Sequence, residues 1–398
     1  EQINDCLRAL ASGSEPLTRE DAKKTLEWEH WEQAEIQELM SMERLKVYNW
    51  VDCSTAKGKK IIRSKWVYKY KQIEERYKCR LVAKGFMQSP FEYGETYAPV
   101  CRLSTVRTLL SYAASKPYWG LRQLGISTAF INATLKEEVY MEPPEGYDHP
   151  EGDKVWKLKK AIYGLKQSPR DWYDTLIAWM TDKDNPDTNF KPSPNDPCLF
   201  SKRVGNKVLW ITLYVDDMLM TGDNDLIEAF MKTIAKTFTI RDLGVPTSFL
   251  GMEIIRGQDK RSISLTCKRY IENIAEKYNC QSKGTVKVPL TNKLTAEDQS
   301  PSGSEVDPTL YRSIVGSILY ASMTCRPDIA YTVKELSRFL AKPLTSHLNA
   351  AKRCIMYLHD SRELGLRYTS KGEQTNTFSM FQKRIWGIEA SEQAAGLQ

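Results

Sequence analysis

Apolar positions along this 398-residue chain change their period twice. They recur at helical spacing near the start, at a two-residue period through much of the middle, and at helical spacing again beyond residue 257. Thr18 can cap a helix whose first turn carries Glu20 and Asp21, as the helix dipole favours. Trp28, Trp31, Leu39 and Met40 continue that helix to about Arg44. From Ile61, Trp66, Tyr68 and Tyr70 alternate with Lys65, Lys69 and Lys71, which predicts a strand with one aromatic and one cationic face. A second strand, Arg80-Leu81-Val82-Ala83-Lys84-Gly85, follows a charged turn. Helices are predicted over 105–114 and from Ser168-Pro169, with Ser168 as cap, Pro169 in the first position, and Trp172, Leu176, Trp179 and Met180 on one side. An apolar strand over 207–215, a second apolar arm at Met218-Leu219-Met220, a helix over 225–238 and a short strand over 249–254 come next. Four further helices follow, over 269–278, over 311–323, from Pro327-Asp328, and through Ala351, Cys354, Ile355 and Leu358. Residues 1–17, the Pro/Ser-rich stretch 291–308 and the end from about Ser370 read as tail, linker and tail.

Between the two apolar arms stands Asp216-Asp217. A hairpin chosen for its turn alone would favour Asn-Gly or Asp-Gly. Two like charges about 4 Å apart repel by roughly 4 kcal/mol at an effective dielectric of 20. Water offsets that cost if the tip is exposed. A divalent ion also would: Mg²⁺ takes carboxylates, keeps several waters and accepts phosphates. The residues themselves leave both readings open.

Charge shifts the balance toward a polyanion. The net charge is +7. From Lys57 to Lys84 eleven cations face only Glu74 and Glu75. A second basic stretch holds Lys154, Lys157, Lys159, Lys160, Lys166 and Arg170. Interleaved with Trp66, Tyr68, Tyr70, Trp156 and Tyr163, these stretches predict a surface that tracks a nucleic-acid backbone. The nine Cys form no C-x-x-C pair and read as reduced thiols of an intracellular, cytoplasmic protein. Four His without ligand spacing argue against zinc. No apolar run reaches the roughly 20 residues of a membrane span, so no membrane partner is expected. Without an initiator Met, the chain reads as a piece of a longer one.

Tyr214-Val215-Asp216-Asp217 after an apolar strand resembles the polymerase motif of reverse transcriptases. The copia-type branch of LTR retrotransposons is resembled in particular, on motifs that run in order from Glu15 to about Tyr368. They include Lys65-Trp66-Val67, Arg76-Tyr77-Lys78 through Phe86, Glu95-Thr96-Tyr97-Ala98-Pro99-Val100, Thr128-Ala129-Phe130 and Glu138-Val139-Tyr140-Met141. Further along stand Tyr163-Gly164-Leu165-Lys166-Gln167-Ser168-Pro169-Arg170, Phe249-Leu250-Gly251, Arg326-Pro327-Asp328-Ile329-Ala330 and Ala350-Ala351-Lys352-Arg353. The resemblance implies an α+β right-hand polymerase with fingers, an antiparallel palm sheet and a helical thumb. It divides the chain into an N-terminal helix and fingers (18–95), palm (96–130), fingers again (131–165), palm again (166–256), thumb and following helices (257–368) and a loose tail without an RNase H domain (369–398).

The same resemblance implies RNA-directed DNA polymerisation by two-metal nucleotidyl transfer, with Mg²⁺ or Mn²⁺ on Asp216 and Asp217. Its substrates would be deoxynucleoside triphosphates and an RNA or DNA template–primer. Arg80, Lys84, Phe130, Tyr163, Gly164 and Gln167 would bind the nucleotide, Phe130 by excluding a 2′-hydroxyl. Leu250, Gly251 and Met252 would grip the primer, and Arg241 would be placed to protonate departing pyrophosphate. A virus-like-particle setting within a polyprotein associated with DNA integration is implied too. One position departs from the pattern. The family's first motif reads Gln-Leu-Asp-Val-Lys-Thr-Ala-Phe, and here it is Gln123-Leu124-Gly125-Ile126-Ser127-Thr128-Ala129-Phe130. With Gly125 where a metal-bridging aspartate belongs, this copy is expected to polymerise poorly or not at all. The competing expectation is a non-catalytic nucleic-acid-binding relic. An unrelated metal-dependent nuclease would need a carboxylate cluster that the sequence does not offer.

Overall fold

The computed structural model describes residues 15–71, 75–147, 150–295 and 306–370. Most of the expected tails, and of the linker at 291–308, lie outside those residues. The described chain mixes helices with mostly antiparallel sheet, the expected α+β class, Ile61–Ile62 pairing parallel to Thr134–Met141. Contacts divide it into two units.

The first unit holds the described residues up to Cys101, then Leu124–Met218 and Asp225–Asp242. Its N-terminal helix is broken in two. Arg19–Lys23 opens on a capping box, in which the Thr18 hydroxyl accepts from the Asp21 N–H (3.1 Å) and the Asp21 carboxylate accepts from the Thr18 N–H (3.2 Å). The helix resumes only at Trp28–Arg44. Thr25 donates its hydroxyl to the Ala22 carbonyl at 2.7 Å, and this local bond competes with helix continuation. Periodicity missed the break because Trp28 stays in phase.

The strands Ser64–Lys71 and Arg76–Ala83 form an antiparallel hairpin in which Tyr70 faces Tyr77 and Trp66 faces Leu81. Its aromatic face packs on the second helix, Trp31 meeting Tyr68 edge-on at 5.4 Å and Tyr77 at 4.5 Å. A four-stranded sheet runs Tyr48–Asp52, Lys154–Lys160, Thr134–Met141, Ile61–Ile62. The helix Ser168–Met180 buries Trp172, Leu176 and Met180. Ser168 is not its cap. Its hydroxyl donates to the Ile162 carbonyl at 2.7 Å, and Gln167 occupies the cap position. The Asp216-Asp217 turn belongs to a six-stranded sheet ordered Ile240–Gly244, Gly120–Ile126, Asp217–Gly222, Lys207–Tyr214, Leu199–Val204, Lys191–Pro192. The ends of its strands that flank the turn fall in the first unit.

The second unit packs the helix Leu103–Ser115 on a sheet ordered Ser248–Phe249, Met252–Arg256, Ser262–Thr266, Leu366–Thr369. The helices Lys268–Lys277, Pro308–Thr324, Ala330–Ser337 and Thr345–Asp360 complete it. Arg326, fully buried, binds both oxygens of Asp328 (2.9 and 2.7 Å) and the backbone and hydroxyl oxygens of Ser361 (3.0 and 2.7 Å). Tyr357 donates to the same Asp328 at 2.9 Å.

Candidate active site

The turn is Val215-Asp216, with Asp217 the first residue of the returning strand. Val215 has φ +58°, a left-handed conformation that a β-branched residue adopts only under constraint. Holding it there costs on the order of 1–3 kcal/mol. Two contacts offset that cost. The Trp172 indole N–H donates to the Val215 carbonyl at 3.0 Å. The Ile126 N–H donates to the Asp216 carbonyl at 2.8 Å from the neighbouring strand. The second bond sets Gly125 beside the acidic pair. A Cβ built on Gly125 would stand 3.4 Å from Asp217 Oδ1 and 3.4 Å from Arg241 Nη2. Position 125, where the resemblance leads one to expect an aspartate, therefore has room for a side chain, and the Arg241 guanidinium borders it.

Burial raises the pKa of Asp216, and Asp217 adds to the rise, while Arg80, Arg241 and Lys78 oppose it. Asp217 is raised by burial and opposed by Arg241. The pair thus sits where negative charge is costly without a cation, and the cations at hand are Arg80, Arg241 and Lys78.

Near Asp216 lies a small aromatic–cation cluster. Arg80 stands 4.3 Å over the Tyr163 ring, and Phe130 meets that ring edge-on at 4.8 Å. Burial pushes the Tyr163 hydroxyl up to about 12. The loop carrying Tyr163 is clasped to the 64–83 hairpin. The Ala83 N–H donates to the Tyr163 carbonyl at 2.8 Å. Gly164, at φ +92°, lies so close to the Ala83 carbonyl that a Cβ there would overlap it, so the approach requires glycine. Gln167 is buried, its side-chain carbonyl accepting from the Gln88 amide at 3.0 Å. Four expected nucleotide-site residues, Arg80, Phe130, Tyr163 and Gly164, thus come together, with Gln167 on the same loop. Lys84 is half-buried and held by its backbone N–H to the Arg63 carbonyl at 2.7 Å.

Residues 45–292 match the family described as reverse transcriptase (RNA-dependent DNA polymerase). The chain belongs to that family, in its copia-type retrotransposon branch. It is 37% identical over 336 residues to the retrovirus-related Pol polyprotein from transposon TNT 1-94 of Nicotiana tabacum, a match covering 81% of this chain and 25% of that one. It is 34% identical over 382 residues to the Pol polyprotein from transposon RE2 of Arabidopsis thaliana, covering 94% and 25%. It is 32% identical over 250 residues to the putative transposon Ty5-1 protein of Saccharomyces cerevisiae, covering 62% and 79%. The chain thus spans about a quarter of the plant polyproteins it matches. Among solved structures, a foamy viral protease-reverse transcriptase in complex with double-stranded DNA aligns with a TM-score of 0.45 and 12% identity, over 82% of this chain and 48% of that one.

Among the described residues, no group of three or more His, Cys, Asp and Glu could hold a metal ion. Two aspartates fit as ligands of one divalent ion that keeps its waters. They do not fit a two-ion centre, because position 125 supplies no oxygen and Arg241 stands beside it.

Other expectations changed on folding. Trp66, Tyr68 and Trp156, expected on a surface that tracks a nucleic-acid backbone, are core residues. Part of the basic stretch is spent on ion pairs, Lys59 and Lys157 sharing Glu138 at 2.6 and 2.5 Å and Arg63 meeting Glu142 at 3.2 Å. Leu250, Gly251 and Met252 do not lie in one strand. Leu250 and Gly251, at φ +49° and +72°, make the tip of a two-residue hairpin between paired Phe249 and Met252, whose side chain is buried. The Tyr320 hydroxyl donates to the Leu250 carbonyl at 2.8 Å. Sequence reasoning missed Gln88 and Trp172 as supports, since each acts through a bond formed only on folding. Among the described residues no helix is long and apolar enough to cross a membrane.

Proposed function

We propose that this chain is the polymerising region of a transposon Pol polyprotein, copying an RNA or DNA template onto a primer 3′ end from deoxynucleoside triphosphates. The observation that carries the reading is the constrained Val215-Asp216 turn, with Asp217 beside it and the Arg80–Tyr163–Phe130 cluster near Asp216. Asp216 and Asp217 would hold Mg²⁺ or Mn²⁺, which supplies Lewis-acid activation of a phosphoryl oxygen and neutralises its charge. Arg80, fixed over Tyr163, would meet triphosphate charge, and Phe130 would close the sugar side against a 2′-hydroxyl. In this reading 18–95 and 131–165 act as fingers, 96–130 and 166–256 as palm, and 257–368 as thumb and following helices, with Leu250, Gly251 and Met252 on the primer. A cytoplasmic setting fits a polymerase of this kind.

A second reading is favoured by Gly125 and Arg241: a scaffold that binds template–primer without extending it. Primer extension on an RNA template with Mg²⁺ or Mn²⁺, run beside a gel-shift titration of the same duplex, separates the two. Binding with extension supports the polymerase. Binding without extension supports the relic, and absence of both sinks the reading altogether.

A further inference from the structure

Tyr320 was not among the residues the motifs pointed to. It stands on the helix Pro308–Thr324, 38% exposed, and its hydroxyl donates to the Leu250 carbonyl at 2.8 Å. That carbonyl belongs to the central peptide of the two-residue tip, where Leu250 and Gly251 both have positive φ, +49° and +72°. The conformation strains a leucine. The arms are anchored by the buried side chains of Phe249 and Met252, whereas Gly251 is exposed. A two-residue turn can turn its central peptide over while its arms stay paired, as types I′ and II′ do. The Tyr320 bond therefore selects one orientation of the 250–251 peptide. Every peptide among the described residues is trans, and a trans peptide points its C=O and N–H in opposite directions. With the Leu250 carbonyl turned to Tyr320, the Gly251 N–H is turned away from it, at the exposed tip.

Tyr320 is itself held. Its ring lies 4.7 Å from that of Tyr270, whose hydroxyl donates to the Ser317 carbonyl at 3.0 Å, one turn before Tyr320. The Tyr278 hydroxyl bonds the Ser313 and Ser317 hydroxyls at 2.8 and 3.3 Å. Two tyrosines of the neighbouring chain segment thus pin the stretch of helix from which Tyr320 reaches the tip.

We propose that Tyr320 is a positioning residue for the primer strand: it fixes the plane of the 250–251 peptide, and so the direction in which the Gly251 N–H meets a phosphate oxygen of the primer. Main-chain N–H groups are common phosphate partners, and such contacts set register without reading sequence. The proposal rests on the primer contact put forward above. It also gives Gly251 a reason beyond its φ, since a Cβ there would lie 2.5 Å from the Tyr320 hydroxyl oxygen.

The test is a cycle on binding alone and needs no chemistry at the primer end. Template–primer is titrated in a gel shift, with a native primer or with a neutral methylphosphonate at each terminal primer linkage in turn. In the parent chain the methylphosphonate at the contacted linkage should weaken binding about fivefold, as for the loss of one hydrogen bond. Tyr320→Phe keeps the ring against Tyr270 and removes only the hydroxyl. It should bind the native primer about fivefold more weakly, and the methylphosphonate should then cost less than about twofold more. The penalty is a ratio between two duplexes on one protein, so a reduced folded fraction does not alter it. A merely structural defect would weaken both duplexes alike. A penalty of parental size in Tyr320→Phe therefore overturns the role of Tyr320 alone. A parent chain that shows no penalty at any terminal linkage, or that binds neither duplex, overturns the primer contact and the role of Tyr320 together.

Discussion

Replacing Gly125 with aspartate is the sharpest perturbation of this site. The new Cβ would meet Asp217 Oδ1 and Arg241 Nη2 at 3.4 Å, ordinary contact distances, so the backbone need not move. Without an ion, each like-charged pair near 4 Å costs on the order of 4 kcal/mol at an effective dielectric of 20. The attraction of the new carboxylate to Arg241 is of similar size and opposite sign, though Arg241 is exposed and solvent weakens its share. Removing a strand glycine returns roughly 0.5–1 kcal/mol. The apo variant should therefore be no more stable than the parent and up to a few kcal/mol less stable, while its site gains a third oxygen donor. The Gly125→Asp chain is expected to melt higher as Mg²⁺ is added, with a much smaller response in the parent. In primer extension it should exceed the parent by at least about 100-fold, since a direct ion ligand matters more than its supporting groups. Equal Mg²⁺-dependent extension by the two chains would refute the argument that position 125 limits this site.

Three further outcomes follow from contacts elsewhere. Burial, with Glu137 nearby, pushes Asp171 up to about 6, against the weaker opposing pull of Lys136 and Arg170 and with Asp174 adding to the rise. The Asp171 contribution to stability is therefore fully present below the ordinary carboxylate pKa and lost as pH rises through about 6. Asp171→Asn should stabilise the fold at pH 8 and do little at pH 4, and a pH-independent shift in urea unfolding would contradict this. Arg326→Met leaves Asp328 buried without its cation and is expected to cost about 3–5 kcal/mol in urea unfolding; a loss under 1 kcal/mol would show the network to be dispensable. Gly251→Ala places a methyl against the Tyr320 hydroxyl at a left-handed position and should destabilise the second unit. Adding Tyr320→Phe should recover part of the loss, and strict additivity in thermal melts would argue against that contact as the cause.

Much of the architecture was legible because it depends on local periodicity. The aromatic alternation at Trp66, Tyr68 and Tyr70 predicted a strand with one aromatic face, and the structure buries Trp66 and Tyr68 on that face. Helical spacing at Trp172, Leu176 and Met180 predicted the buried side of the helix that supports the turn. Errors arose where a local side chain outbid the pattern, as Thr25 does in the first helix, or where two hairpin arms were too short to show a period, as around Leu250 and Gly251. The division of labour among aromatics was also hidden, because a Trp that packs in a core and a Trp that stacks on a base have the same neighbours in sequence.

The sequence by itself determined the family and set Asp216, Asp217 and Gly125 in their motifs, since each is a matter of residue identity at an ordered set of positions. Only the tertiary structure decided that a side chain at position 125 would reach Asp217, that Arg241 borders the same space, and that Gln88 bonds to Gln167. Those facts join residues 92, 116 and 79 positions apart, and their content is direction and distance, which no residue carries until the chain has folded.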